Sequence, residues 1–316
     1  MDRHLDPALD PCLSVRLIYG EKFAFLHAMD PNWVKDSLDR ILPEDPELRP
    51  LRDIAWGAYL AANYVYDNQF FLLEKYYREA VSSLDVELLL GKSHLLDKPK
   101  VALGQHLIQL YWRGKLDLAG TSLFTQFLRR ADASTRRDCI VYVGRSLSES
   151  QEEVPSDILK RLEEFWLSRI EASDRTAEEH AAFGWWFETR YFPDALAIDY
   201  MGRSLEISEG KFEPLLHALK RLTALVHVYP GAVVSCVRKI VLAQPDYIDL
   251  WSEQMGEIFA AILDGSDSEL RSEVSELINE LGARGEHRYR SLLELSSQSA
   301  RGAKREGTQE HKSHEQ

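Results

Sequence analysis

Leu48-Arg49-Pro50-Leu51-Arg52-Asp53-Ile54-Ala55-Trp56-Gly57-Ala58-Tyr59-Leu60-Ala61-Ala62 is the stretch that decides the fold class. Its apolar positions Leu48, Leu51, Ile54, Ala55, Ala58, Tyr59 and Ala62 advance by threes and fours, the step that gathers side chains on one face of an α-helix. The next segment repeats the pattern with Phe70, Leu73, Tyr77, Val81 and Leu84, and later ones with Ile158, Leu162, Phe165, Trp166 and Ile170, then Leu215, Leu219, Leu222, Val226 and Tyr229, then Ile248, Trp251, Met255, Ile258 and Ile262. Two β-branched patches, 140–143 and 233–237, have the composition of buried strands but no evident partner strands, so they too are read as helical.

Helix-start signals punctuate these stripes. Asp10-Pro11, Asp30-Pro31 and Asp45-Pro46 place a capping carboxylate before a proline, whose missing N–H costs nothing in a first turn. A helix begun at Pro46 would carry Pro50 beyond that turn, so its start is expected near Arg49. Thr176-Ala177-Glu178-Glu179 and Ser266-Asp267-Ser268-Glu269 fit the capping box. Breaks at Leu42-Pro43, Asp97-Lys98-Pro99, Phe192-Pro193, Glu213-Pro214, Tyr229-Pro230-Gly231 and Gln244-Pro245-Asp246 end one helix or open the next. The expectation is an all-α chain of roughly 14 helices, an irregular HEAT-like array of helical hairpins or an α-superhelix. A polar joint at 146–155 divides it into a lobe over 1–150 and a lobe over 151–295, unless the array is continuous. Residues 296–316 hold no Val, Ile, Leu, Met or aromatic residue, and such a tail is expected to be disordered.

With 45% hydrophobic and 28% charged residues the composition is that of a globular protein, and no apolar run approaches the roughly 18 to 20 residues that span a bilayer. Residues 1–7 lack a basic start followed by an apolar stretch, which makes the cytoplasm the expected location. A net charge of −13 opposes broad attraction to nucleic acid or anionic lipid, so no membrane partner is expected and nucleic acid would need a local basic patch. Cys12, Cys139 and Cys236 lie far apart and read as small buried hydrophobes. No cofactor or metal is expected: the ten histidines show no paired ligand spacing.

Chemistry-bearing motifs are sparse. Gly91-Lys92-Ser93 has the end of a phosphate-binding loop, but Val86 stands where its first glycine belongs, and the reading is a helix C-terminal glycine. Glu152-Glu153, Glu163-Glu164 and Glu178-Glu179 fall on exposed faces or at helix N-termini, where negative charge is favoured anyway. The candidate partner-binding residues are therefore Trp185, Arg129, Arg130, Arg136 and Arg137. Arg129-Arg130 closes one helix and Arg136-Arg137 opens the next, with Lys98, Lys100 and Arg113 elsewhere, so the pairs flank one loop and have the make-up of a phosphate grip or of solvated arginine. In Phe183-Gly184-Trp185-Trp186-Phe187 a helix puts Phe183, Trp186 and Phe187 on one face as core, with Gly184 allowing close approach, while Trp185 points elsewhere and needs its own cover.

The stretch Glu179-His180-Ala181-Ala182-Phe183-Gly184-Trp185-Trp186-Phe187, with Ala55-Trp56-Gly57-Ala58-Tyr59-Leu60 and Leu281-Gly282-Ala283-Arg284-Gly285, resembles the C-terminal helical-repeat region of large bacterial defence proteins of the STAND-type or sirtuin-like kind. The resemblance covers most of residues 13–295 and implies a trigger-sensing array. It transfers no active-site residue, and the chain holds neither the nucleotide-binding motor nor the effector of such proteins, which fits a detached module or a fragment. The expected function is a non-enzymatic scaffold or sensor that binds a protein partner, in bacterial defence. The alternatives are a nucleic-acid-contacting module using the arginine loop and a helical enzyme with a scattered site. The sequence fixes no oligomeric state.

Overall fold

The computed structural model describes residues 2–84, 99–243 and 248–295. Among these residues every regular element is helical and no strand occurs. Sixteen α-helices follow in order: α1 Leu13–Glu21, α2 Phe23–Met29, α3 Pro31–Ile41, α4 Arg49–Ala62, α5 Asp67–Ser82, α6 Pro99–Trp112, α7 Leu123–Arg130, α8 Ala133–Glu149, α9 Ser156–Glu171, α10 Ala177–Ala181, α11 Gly184–Glu188, α12 Asp194–Ile207, α13 Leu215–Leu225, α14 Pro230–Ala243, α15 Ile248–Leu263 and α16 Ser268–Ala283. No helix among them is long and apolar enough to cross a membrane. The β-branched patches lie inside α8 and α14, as periodicity indicates. Gly91-Lys92-Ser93, Lys98, the Gln244-Pro245-Asp246 break and the 296–316 tail lie outside the described residues.

Several starts follow the local chemistry, and others depart from it. Asp30 accepts the Trp33 N–H at 2.9 Å and opens α3 with Pro31 in its first turn. Asp45 caps a short 3₁₀ turn over 46–48, and α4 then begins at Arg49 with Pro50 inside its first turn. The Asp10 signal works one step removed: its carboxylate accepts the Cys12 N–H at 3.2 Å, and Cys12 is the residue before α1. Cys12 is consequently exposed, a correction to the expectation of a buried thiol, whereas Cys139 and Cys236 are buried. At α16 the cap is Asp267, which accepts from Glu269 and Leu270, so the expected box at Ser266 is displaced by one residue. Two helices more than the expected number arise where one apolar run bends, at Lys22 between α1 and α2 and at Ala182-Phe183 between α10 and α11.

The chain forms two units. Unit 1 comprises the described residues up to Val143 together with Glu152–Phe165; unit 2 comprises Gly144–Gln151 and the described residues from Trp166 on. In unit 1, α4 is covered on two sides. Gly20 of α1 lies so close to the Ala55 backbone that a Cβ there would overlap its carbonyl, while Trp56 packs edge-on to Tyr77 of α5 at 5.0 Å between ring centroids. In unit 2 the order is a ladder: α10 packs on α12, α11 on α13, α12 on α14, α13 on α15 and α14 on α16. Even-numbered helices thus form one layer and odd-numbered helices the other, so that each buries the apolar stripe of the next, the packing of stacked hairpins.

The aromatic segment is the core of unit 2. Phe183, Trp186 and Phe187 are all fully buried. Trp166 stacks on Phe183 with an interplanar angle of 4° and centroids 5.1 Å apart, and meets Trp186 edge-on. Gly184 lies against Phe212 and the Glu213 carbonyl, leaving no room for a side chain.

Candidate functional site

Asn63-Tyr64-Val65-Tyr66 joins α4 to α5 in unit 1, and both ends of this junction are extended, Asn63 at φ −117°, ψ 146° and Tyr66 at φ −102°, ψ 144°. Extended backbone alternates its side chains. Asn63 and Val65 accordingly turn inward, and Tyr64 and Tyr66 turn out to 72% and 50% exposure. Phe71, in the second turn of α5, is 64% exposed beside them in sequence. Most aromatic residues of the chain are by contrast in the core.

The inward residues are heavily anchored. The Asn63 amide donates to the carbonyls of Gly20 at 3.1 Å and Tyr59 at 3.0 Å, and its side-chain oxygen accepts the Ala24 N–H at 3.2 Å. Its backbone carbonyl accepts from His106 Nε2 at 2.8 Å. The His106 Nδ1 must then accept, and the Tyr77 hydroxyl donates to it at 2.7 Å, while Tyr77 accepts from Tyr59 at 3.2 Å. Burial holds His106 neutral by pushing its pKa down to about 4 and raises both tyrosines. The fully buried Val65 is fixed through its carbonyl, which accepts from Arg113 at 2.7 Å; Arg113 and Lys115 also flank Asp67 at 3.3 and 3.0 Å. The junction is therefore a preorganised pair of outward tyrosines. A tyrosine side chain offers a large apolar contact and a polar tip at a small entropy cost.

The residues chosen from sequence are placed differently. Arg136 is buried, and its guanidinium donates to the carbonyls of Leu128 and Ala131 at the end of α7, at 3.2 and 2.5 Å. That corrects the reading of Arg136 as a surface contact: it is a helix C-terminal cap. Arg130 is exposed but donates to the Ser82 carbonyl at 3.1 Å, and Arg129 to Gly120 at 3.3 Å. Arg137 is half-buried against Asp138 at 2.9 Å. The four arginines do gather around one helix joint, but their donors are largely turned to backbone carbonyls. Trp185 is half-buried: Gly144 abuts its backbone and Cβ, and the Arg145 guanidinium lies 4.9 Å from its ring centroid. Those two residues are the separate cover the sequence called for.

Unit 2 holds the other polar centre. Glu179, expected on an exposed face or helix N-terminus, is fully buried and forms a two-point ion pair with Arg169 at 2.5 and 3.1 Å. Thr176 caps α10 through the Glu179 N–H, but the carboxylate that would complete the box is spent on Arg169. Beside it, His180 Nε2 donates to the Arg169 carbonyl at 3.2 Å, and Nδ1 faces Ser204 Oγ at 3.4 Å, which accepts the Trp166 indole N–H at 3.0 Å. Burial again drives the histidine pKa down to about 4. Above this centre a cleft of about 530 Å³ is lined by Ile170, Glu171, Arg175, Arg203, Glu206 and Glu209. Several of its charged groups are engaged, Arg203 with Glu171 at 3.8 Å and Glu206 with Lys239 at 2.8 Å, while Arg175 donates to the Ile170 carbonyl at 2.9 Å.

Compared with family models, curated proteins and solved structures, the chain finds no match in any of the three. The tyrosine junction was not visible as a motif. Its only sequence signal is the alternation of Asn63, Tyr64, Val65 and Tyr66 between two helical stripes, and it acquires meaning when Gly20, Ala24 and His106 are seen to hold the inward half.

Proposed function

We propose that the protein is a non-enzymatic interaction module that binds a protein partner in the cytoplasm through the tyrosine junction, with Tyr64, Tyr66 and Phe71 as its anchors. The observation that carries this reading is that Tyr64 is 72% exposed on a segment whose neighbours are pinned by four side-chain or backbone contacts. Exposed aromatic side chains on a rigid support pay little ordering entropy on binding, and such residues dominate protein interfaces. The engagement of Arg130 and Arg136 with helix ends, of Arg129 with the Gly120 carbonyl and of Arg137 with Asp138 favours a protein over a nucleic acid. The resemblance noted in the sequence supports a sensing role in bacterial defence, and an ATPase or nuclease reading frame beside this one would strengthen it.

The test places a photo-crosslinking residue at position 66 in the native host and compares the adducts with those of the same protein carrying Tyr64→Ala and Phe71→Ala. A discrete protein adduct that disappears in the variant, with the melting temperature unchanged, is the expected result. An adduct that survives both substitutions, or one formed with nucleic acid, sinks the reading.

A further inference from the structure

The junction 63–66 has two edges as well as two faces. In extended backbone the N–H and C=O of one residue point to one side of the chain, and those of the next residue to the other. The edge that carries Asn63 and Val65 is closed, its carbonyls accepting from His106 of α6 at 2.8 Å and from Arg113, the residue after α6, at 2.7 Å. The edge that carries Tyr64 and Tyr66 is open. Among the described residues the Tyr64 N–H, the Tyr64 carbonyl and the Tyr66 N–H make no hydrogen bond, whereas the Tyr66 carbonyl accepts the Phe70 N–H at 2.8 Å as α5 begins. Charges and prolines, which ordinarily guard such an edge, are missing from 63–66, and the first charged residue beyond it, Asp67, is held by Arg113 and Lys115.

We infer that this open edge is a strand-addition site, at which the partner docks an extended peptide segment that pairs through its backbone with Tyr64 and Tyr66. The inference rests on the reading of the junction as the partner site and adds the partner's conformation to it. Backbone chemistry selects that occupant. A ligand that closes over the exposed Tyr64 and Tyr66 rings also takes water from the three free groups between them, and a polar group dehydrated without a new partner opposes binding. A helix has its own backbone groups bonded internally and offers these three none of its own. An extended peptide meets them. The Tyr64 carbonyl and the Tyr66 N–H straddle Val65 and form the two-point grip of a parallel strand, while the N–H and carbonyl of Tyr64 form that of an antiparallel one. Every second side chain of the peptide then lies beside the Tyr64 and Tyr66 rings, which suits apolar residues at that spacing.

The probe is a phage-displayed library of random linear peptides selected on the full chain. Peptides that no longer bind the protein carrying Tyr64→Ala and Phe71→Ala, at an unchanged melting temperature, are N-methylated one residue at a time. The expected loss alternates: a methyl on a residue whose N–H faces Tyr64 weakens binding at least about fivefold, and a methyl on its immediate neighbours changes it less than about twofold. Amide exchange at Tyr64 and Tyr66 should slow in the same complexes. Losses that run through consecutive peptide residues, as a helical ligand gives, overturn the inference, as do Tyr64 and Tyr66 amides that exchange as fast as in the free protein or a library without a Tyr64-dependent binder. The adduct at position 66 separates the two readings: a discrete adduct without alternation in the peptides removes strand addition alone, whereas neither adduct nor binder removes both.

Discussion

Unit 1 and unit 2 each set one buried, neutral histidine, His106 and His180, in a hydrogen-bond circuit of the same form, and they differ in what stands beside it. In unit 1 the order runs from the Tyr59 hydroxyl to Tyr77, to His106 Nδ1, and from Nε2 to the Asn63 carbonyl. In unit 2 it runs from the Trp166 indole to Ser204, to His180 Nδ1, and from Nε2 to the Arg169 carbonyl. Each ring thereby uses both nitrogens, one as acceptor and one as donor, and each donates to a carbonyl at or near the end of a helix, α4 or α9, the Arg169 carbonyl also accepting the Ala172 N–H at 3.3 Å. Among the described residues, the circuit of unit 2 has a buried ion pair beside it, Arg169 with Glu179, and that of unit 1 has none. Neutral wiring is enough to fix a helix junction, and the ionic addition raises the cost of any error next to it.

A large effect should come from breaking that asymmetry. Glu179→Ala takes the two-point acceptor from the Arg169 guanidinium, 5% exposed, and leaves it the Asp174 carboxylate at 3.0 Å, and should cost about 3 kcal/mol, while Tyr77→Phe in unit 1 should cost about 1 to 2. Urea unfolding of the two variants checks the ranking; equal losses would mean that the ion pair adds nothing to the circuit. Truncating a ring of the unit 2 core comes next in certainty of sign. Trp186→Ala removes a fully buried side chain and should lower stability by about 3 to 5 kcal/mol, whereas Trp185→Ala, half-buried under Arg145, should lose about 1 to 2. Calorimetric melting of the pair measures the difference, and a Trp186→Ala protein that melts like the parent would remove the aromatic segment from the core.

A smaller, shared effect is set by pH. Both histidine pKa values fall from 6.5 to about 4 on folding, so below pH 6.5 the unfolded chain takes up protons that the folded chain refuses. Stability is therefore full above pH 6.5, declines as the pH drops toward 4, and by pH 5 should be lower by about 2 kcal/mol for each histidine. Denaturant midpoints at pH 7 and pH 5 read this out, and His106→Gln and His180→Gln should each flatten the slope. If only one of them does, the two circuits are not equivalent.

Helix identity was legible in the sequence because periodicity reports burial directly, and Phe183, Trp186 and Phe187 stand where their spacing puts them. The second buried face of α4, carrying Trp56, was not, since a single stripe is all that a helix needs to be recognised. The polar residues were harder for a different reason. Arg136 and Arg137 are indistinguishable by type, yet one step along a helix turns a side chain by about 100°, which buries the first against the end of α7 and leaves the second half-exposed. Glu179 likewise matches a capping-box residue, and only the approach of Arg169 from α9 diverts its carboxylate into the core. The junction tyrosines are displayed by contacts made from residues far away in sequence, and no local pattern carries that information.

The ladder of unit 2 also bears on how the protein is made. Because each of its rungs joins helices that are adjacent or next but one in the chain, little entropy is spent closing long loops before a contact forms. Such a segment can gain structure rung by rung while synthesis proceeds, whereas α4 of unit 1 must wait on both α1 before it and α6 after it. The later half of the polypeptide is thus the half suited to rapid, sequential assembly.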